Sequence, residues 1–249
     1  MIDVNRYLTH IRMKLIQVFM SKVYKDKSTT LKYYFKKSNT DKLIVVFSSC
    51  TRKGAKARYN YIYTLKNKDI NQLYILDDFG YDNRGAYYLG RNNDFYIEKS
   101  VTKLIQSVIK ENNINHVTFA GSSKGGYAAL LFGCKFENSN IIVGAPQYYL
   151  GKYLDDDPMR HTLEYIIGEI TEEKLESLNK YLSNALSNSC DNIEVLLHCS
   201  INEETYDNHV KDLIKDMEKN NIKVIFNKGY YKEHSEVGRE FSKILIEKV

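Results

Sequence analysis

The chain has 249 residues, 43% of them hydrophobic and 27% charged, with 13 glycines and only 2 prolines. That length suits one large domain or two small ones at about 150 residues each, and it can bury a core without disulfide or metal staples. Collagen-like and proline-rich disordered chains are excluded, and no apolar run nears the roughly 18–20 residues of a membrane span. The cysteines at 50, 134, 190 and 199 form no Cys-x-x-Cys pair. Neither a disulfide framework nor a zinc site is therefore expected, and no metal is assigned. The first residues lack a secretory-signal pattern, so the expectation is a cytoplasmic protein, peripheral at the inner face of the membrane if its N-terminal arm binds there.

The net charge of +5 is unevenly spread. Residues 1–41 hold nine basic and three acidic residues, net +6, which leaves the rest of the chain at −1. A near-neutral body speaks against nucleic acid as a partner, since such binders carry a basic face of their own.

In chain order, Val4, Tyr7, Leu8, Ile11, Leu15, Val18, Phe19 and Val23 recur at three- and four-residue steps. They predict a basic amphipathic helix over residues 1–28, suited to docking on the body, on an anionic membrane surface or on a partner complex. Residues 29–249 read as one domain. A short strand is expected at Leu31 to Phe35, followed by an apolar run at Leu43 to Phe47 of the kind found in buried parallel strands. Similar runs follow at Leu73 to Leu76, His116 to Ala120, Asn140 to Val143, Ile193 to Leu197 and Lys223 to Phe226. Helical patterns separate them: Ala57 to Leu65, Ile97 to Asn112, Lys124 to Phe136, Thr205 to Asn220 and His234 to Lys248. This alternation predicts an α/β fold, a mostly parallel sheet with helices on both faces. Residues 148–190 carry helical patterns without a strand and read as a helical lid inserted over one end of the sheet.

Gly121-Ser122-Ser123-Lys124-Gly125 follows a strand and opens a helix. That is G-x-S-x-G in the strand–turn–helix setting of a nucleophile elbow, where small neighbours let strand and helix approach. Ser123 is the candidate nucleophile. Its partners should follow in the order acid, then histidine. Glu203, in the loop after the Ile193 strand, is the first choice of acid; Glu204 is the near alternative, and Asp207 falls within the next helix. His234, in the loop after the last strand, is the one histidine of six with both loop position and order. An oxyanion hole needs two backbone N–H groups. Lys124 supplies one, and the loop after the Leu43 strand supplies the other from Ser48, Ser49 or Cys50, with Ser49 preferred. The Lys124 side chain could meet an acidic acceptor, a cofactor phosphate or solvent.

Gly121-Ser-Ser-Lys-Gly-Gly126, with Tyr59-Asn-Tyr-Ile62, Arg84-Gly85-Ala-Tyr-Tyr88 and Ala145-Pro-Gln147, resembles the serine-type capsule polysaccharide O-acetyltransferases from about residue 30 onward. The resemblance implies an α/β-hydrolase-like fold and transfer of acetyl from acetyl-coenzyme A, through an acetyl-serine at Ser123, to hydroxyls of an acidic bacterial surface polysaccharide. It implies His234 as base, Arg84 gripping an anionic group and Gln147 lining the site. The acid loop departs from the family, with Ser200-Ile-Asn-Glu203 where it carries Gly-x-x-Asp, and Lys232-Glu233 stands before the histidine in place of Gly-Gly. A serine esterase or thioesterase would use the same three residues, and a non-catalytic component of a secretion or glycosylation complex is the reading from another class.

Overall fold

The computed structural model describes residues 16–27 and 29–249. Eight strands form one sheet: β1 (Lys22–Lys25), β2 (Thr30–Lys36), β3 (Lys42–Phe47), β4 (Asn71–Leu76), β5 (His116–Ser122), β6 (Asn140–Gly144), β7 (Glu194–Ser200) and β8 (Lys223–Gly229). Their spatial order is β1-β2-β4-β3-β5-β6-β7-β8. The run from β4 through β8 is parallel, while β1 and β2 pair antiparallel at one edge. Among the described residues, seven α-helices accompany the sheet: α1 (Tyr96–Glu111), α2 (Lys124–Gly133), α3 (Leu150–Leu154), α4 (Arg160–Ile167), α5 (Glu172–Ser187), α6 (Lys211–Lys219) and α7 (Val237–Lys248).

Strand side chains alternate between two cores because successive residues point to opposite faces. Leu43, Val45 and Phe47 join Phe119, Val143 and Leu197 on the face covered by α1, α2, α5 and α6. Ile44 and Val46 join Tyr74, Ala120 and Ile142 on the other face, beneath Phe241 and Leu245 of α7. Burial on both faces is why these strands read as unbroken apolar runs. Among the described residues, no helix is long and apolar enough to cross a membrane.

The structure differs from the sequence pattern in two places. Most of the helix expected over residues 1–28 lies outside the described residues. What is described is a π-helical turn at Ile16–Met20 followed by β1, so the helix does not reach Val23. Val23 and Tyr24 suit a strand, and β2 offers them a free edge. Ala57 to Leu65, expected as a helix, is an irregular segment held by outside partners: Asn83 O accepts from Ala57 N, and Tyr59 Oη bonds Ser21 Oγ. Tyr61, at φ 62°, breaks any helical path. Residues 148–190 are helical as expected. Within them α5 buries Leu178, Leu182 and Leu186 in the same core as α2, and packs against α3.

Candidate active site

The site lies at the carboxyl ends of the parallel strands, where open α/β sheets place their ligands. At the end of β5 the chain turns into α2 through Ser123, which adopts φ 51° and ψ −124°. A Cβ on Gly121 would lie 2.2 Å from Gly125 O, and one on Gly125 would lie 2.6 Å from Phe47 O. Only glycine fits at either position, so the tight turn is written into the motif. Strain in this uncommon region is held by Ser123 N–H donating to Gly144 O at 2.8 Å, with Ser123 O accepting from Gly126 and Tyr127 N–H.

Ser123 Oγ lies 2.9 Å from His234 Nε2. His234 Nδ1 makes a short hydrogen bond to Glu203 Oε1, and Thr205 Oγ1 stands 3.3 Å from the same nitrogen. Glu203 is buried whereas the imidazole is partly open to solvent. Nδ1–H directed at the carboxylate leaves the Nε2 lone pair to accept from the serine hydroxyl, as proton abstraction requires. A capping box between Glu233 and Glu236 opens the short 3-10 turn on which His234 is the first residue. Glu204 follows Glu203 in an exposed position and makes no hydrogen bond to the imidazole.

Gln147, fully buried after β6, donates from Nε2 to Ser123 Oγ at 3.3 Å, and its Oε1 has no partner among the described residues. It therefore lines the site within reach of the serine oxygen. Lys124 is the first residue of α2, so its N–H has no acceptor within the helix. For the second amide, the structure engages the preferred candidate elsewhere. Ser49 N–H donates to Asn60 Oδ1 at 2.9 Å, and Ser48 N–H donates to Tyr88 Oη at 2.6 Å. Cys50 N–H is the one of the three with no partner among the described residues.

Arg84, expected to grip an anionic group, is buried and already occupied. Its guanidinium donates to Thr51 O from Nε at 2.9 Å and also from Nη2; Nη2 reaches Cys50 Sγ at 3.3 Å and Nη1 reaches Asp82 Oδ2 at 3.3 Å. It braces the Cys50–Thr51 loop from behind. The Lys124 side chain is sealed from solvent. Its ammonium donates to Asp77 Oδ2 at 2.7 Å, with both side chains at most 1% exposed. Asp77, at the end of β4, also accepts from the N–H groups of Ala86 and Tyr88, while Tyr88 Oη holds Ser48. One ion pair thus ties the elbow to the loop carrying the second set of amides. Asp77 belongs to no motif in the sequence; its only signal there is its place directly after a continuous apolar strand.

Below the serine, Ser49 Oγ donates to Ser122 O at 2.9 Å, and Tyr61 Oη bonds Ser122 Oγ. Burial pushes the Tyr61 phenol up to about 12, so it stays protonated. Among the described residues, no cluster of histidine, cysteine and carboxylate side chains could hold a metal ion.

No protein-family model matches the chain, and no curated protein matches it by sequence. Solved structures do. The capsule O-acetyltransferase of Neisseria meningitidis serogroup A aligns at a TM-score of 0.74 and 22% identity, covering 93% of this chain and 96% of that one. A mutant of it in complex with CoA aligns at 0.75 and 24%, over 92% and 96%. A glycosylation-associated protein complex of Streptococcus agalactiae aligns at 0.75 and 21%, over 92% of this chain and 46% of that one. A fluorophosphonate-binding serine hydrolase of Staphylococcus aureus aligns at 0.65 and 12%, over 90% and 95%. The chain therefore has the α/β-hydrolase-like fold that this O-acetyltransferase shares with serine hydrolases.

Proposed function

We propose that the protein is an O-acetyltransferase that moves acetyl from acetyl-coenzyme A, through an acetyl ester on Ser123, to hydroxyls of an acidic bacterial surface polysaccharide. The observation that carries this reading is the hydrogen-bonded chain Ser123–His234–Glu203 on a strained elbow. It is supported by the shared fold with a capsule O-acetyltransferase aligned over nearly the full length of both chains.

In the first half-reaction, Ser123 Oγ attacks the thioester carbonyl carbon and its proton passes to His234 Nε2. Glu203 stabilises the imidazolium. The N–H groups of Lys124 and Cys50 receive the developing oxyanion, aided by the positive end of α2. The C–S bond then breaks, and the leaving sulfur takes the proton from His234. In the second half-reaction a sugar hydroxyl attacks the acetyl carbonyl while His234 takes its proton. Collapse expels Ser123 Oγ, which recovers that proton. Gln147, whose Nε2–H donates to Ser123 Oγ, orients that oxygen for attack. Helices of residues 148–190 shield the acyl-enzyme so that the acceptor outcompetes water. Esterase chemistry would use the same first step, and the serine-hydrolase neighbour favours keeping it as the rival.

The two separate by product. Protein, acetyl-coenzyme A and an acidic capsular polysaccharide stripped of its esters should yield O-acetyl resonances on the polymer by proton NMR. Release of free acetate at the same rate with and without polymer would favour the esterase.

A further inference from the structure

A groove of about 590 Å³ opens beside the Cys50 loop, lined by the apolar Val18, Ala55 and Ala57 and by Arg52, Lys56 and Arg58. Its three cations are exposed, and no carboxylate among the described residues lines it. Arginines elsewhere in the described residues are engaged. Arg84 and Arg160 pair with aspartates, Arg239 pairs with Glu236 and Glu240, and Arg91 stands over the rings of Tyr81 and Tyr165. The side chains of Arg52 and Arg58 are the two with no hydrogen-bond, ion-pair or ring partner among those residues, and they share one groove. The loop that presents them is itself hydrogen-bonded. Thr51 Oγ1 donates to Ala55 O at 2.7 Å, Ala55 N–H to Arg52 O at 3.0 Å, and Gln17 Nε2 to Ala57 O at 2.9 Å. What the groove offers a ligand is three positive side chains beside small apolar ones, in a body whose charge beyond residue 41 is −1.

We propose that this groove binds phosphate groups of the substrate that enters beside Cys50. Guanidinium forks match phosphate oxygens, and a hydrogen-bonded loop lowers the ordering cost of binding. The proposal rests on the acetyl-transfer reading of Ser123. Two substrates carry such groups: the nucleotide end of the donor, and an acceptor polymer with phosphodiester links.

The test is calorimetric binding of coenzyme A and, separately, of linear inorganic polyphosphate to the wild-type protein, to Arg52→Ala/Arg58→Ala and to Lys53→Ala, an exposed cation outside the groove. Thermal melts report folding, and Arg52→Gln/Arg58→Gln serves if the alanine pair does not fold. The groove predicts a loss of about 100-fold in coenzyme A affinity in the double variant, roughly tenfold for each charge-assisted contact, against little change in Lys53→Ala. The same loss for polyphosphate, with no coenzyme A binding by the wild type, supports the groove with the polymer as source. Equal binding by wild type and double variant, or no binding of either probe by the wild type, overturns the proposal. Acetylation of Ser123 by acetyl-coenzyme A, read by mass in the wild-type sample, reports the donor reading on its own.

Discussion

Lys124 does two jobs that pull its main chain and side chain in different directions. Its amide follows Ser123 directly, and its ammonium is buried against Asp77. Burying such a pair costs desolvation, and removing one partner leaves the other charge unpaired. Lys124→Met is therefore expected to lower stability by about 3–5 kcal/mol. Combining it with Asp77→Asn, which removes the unpaired charge and keeps an acceptor for the Ala86 and Tyr88 N–H groups, should restore part of that loss, as read by urea unfolding. An unchanged midpoint in the single variant would refute the clamp. The residues visible in the sequence were those with a positional rule: Ser123 by its motif, then Glu203 and His234 by order and by loops after strands. Asp77 obeys no such rule, and which amide of residues 48–50 stays free depends on Asn60 and Tyr88, both distant in sequence.

His209 offers a separate check at the residue scale. Burial, with Lys152 and His234 nearby, lowers its pKa to about 4, and its Nδ1 accepts the Tyr149 N–H, which only the neutral ring can do. The unfolded chain, at about 6.5, binds more protons between those values, so stability falls as pH drops from 6.5 towards 4. The contribution lost is about 3 kcal/mol. His209→Phe should flatten the pH dependence of unfolding free energy in that window. An equally steep slope in the variant would show that another group carries it.

Among the elements, the elbow is the most demanding. Strand β5 and helix α2 meet so closely that a methyl at residue 121 would overlap the carbonyl of Gly125. Gly121→Ala is expected to cost about 1–3 kcal/mol by overpacking and to reduce Ser123 acylation much more, since the turn must open. Full acylation with only a stability change would show that the turn geometry is not needed. The strands and most helices were legible because burial on one or two faces imposes a period on the sequence. The segment Ala57 to Leu65 carried a helical spacing without becoming a helix. Its backbone is claimed by Asn83 and its side chains by Ser21 and Ser49, contacts with no local signature. The strand at Lys22–Lys25 was hidden in the same way, since only the edge of β2 makes it a strand.

For the whole molecule, topology does the assembling. The ends of β3, β4, β5, β6, β7 and β8 lead to Cys50, Asp77, Ser123, Gln147, Glu203 and His234 respectively, so six connections converge on one rim. A parallel sheet supplies that convergence without any long-range sequence signal beyond strand order. On the proposed reading, this rim makes Ser123 an acyl carrier. Its most direct test is intact-mass analysis after incubation with acetyl-coenzyme A, for wild type, Ser123→Ala and His234→Ala, with free thiol followed in parallel. Wild type should carry one acetyl adduct, mapped to Ser123, with matching thiol release and neither in the two variants. Acetylation of Ser123→Ala to the same extent, or neither adduct nor thiol from folded wild-type protein, would contradict it.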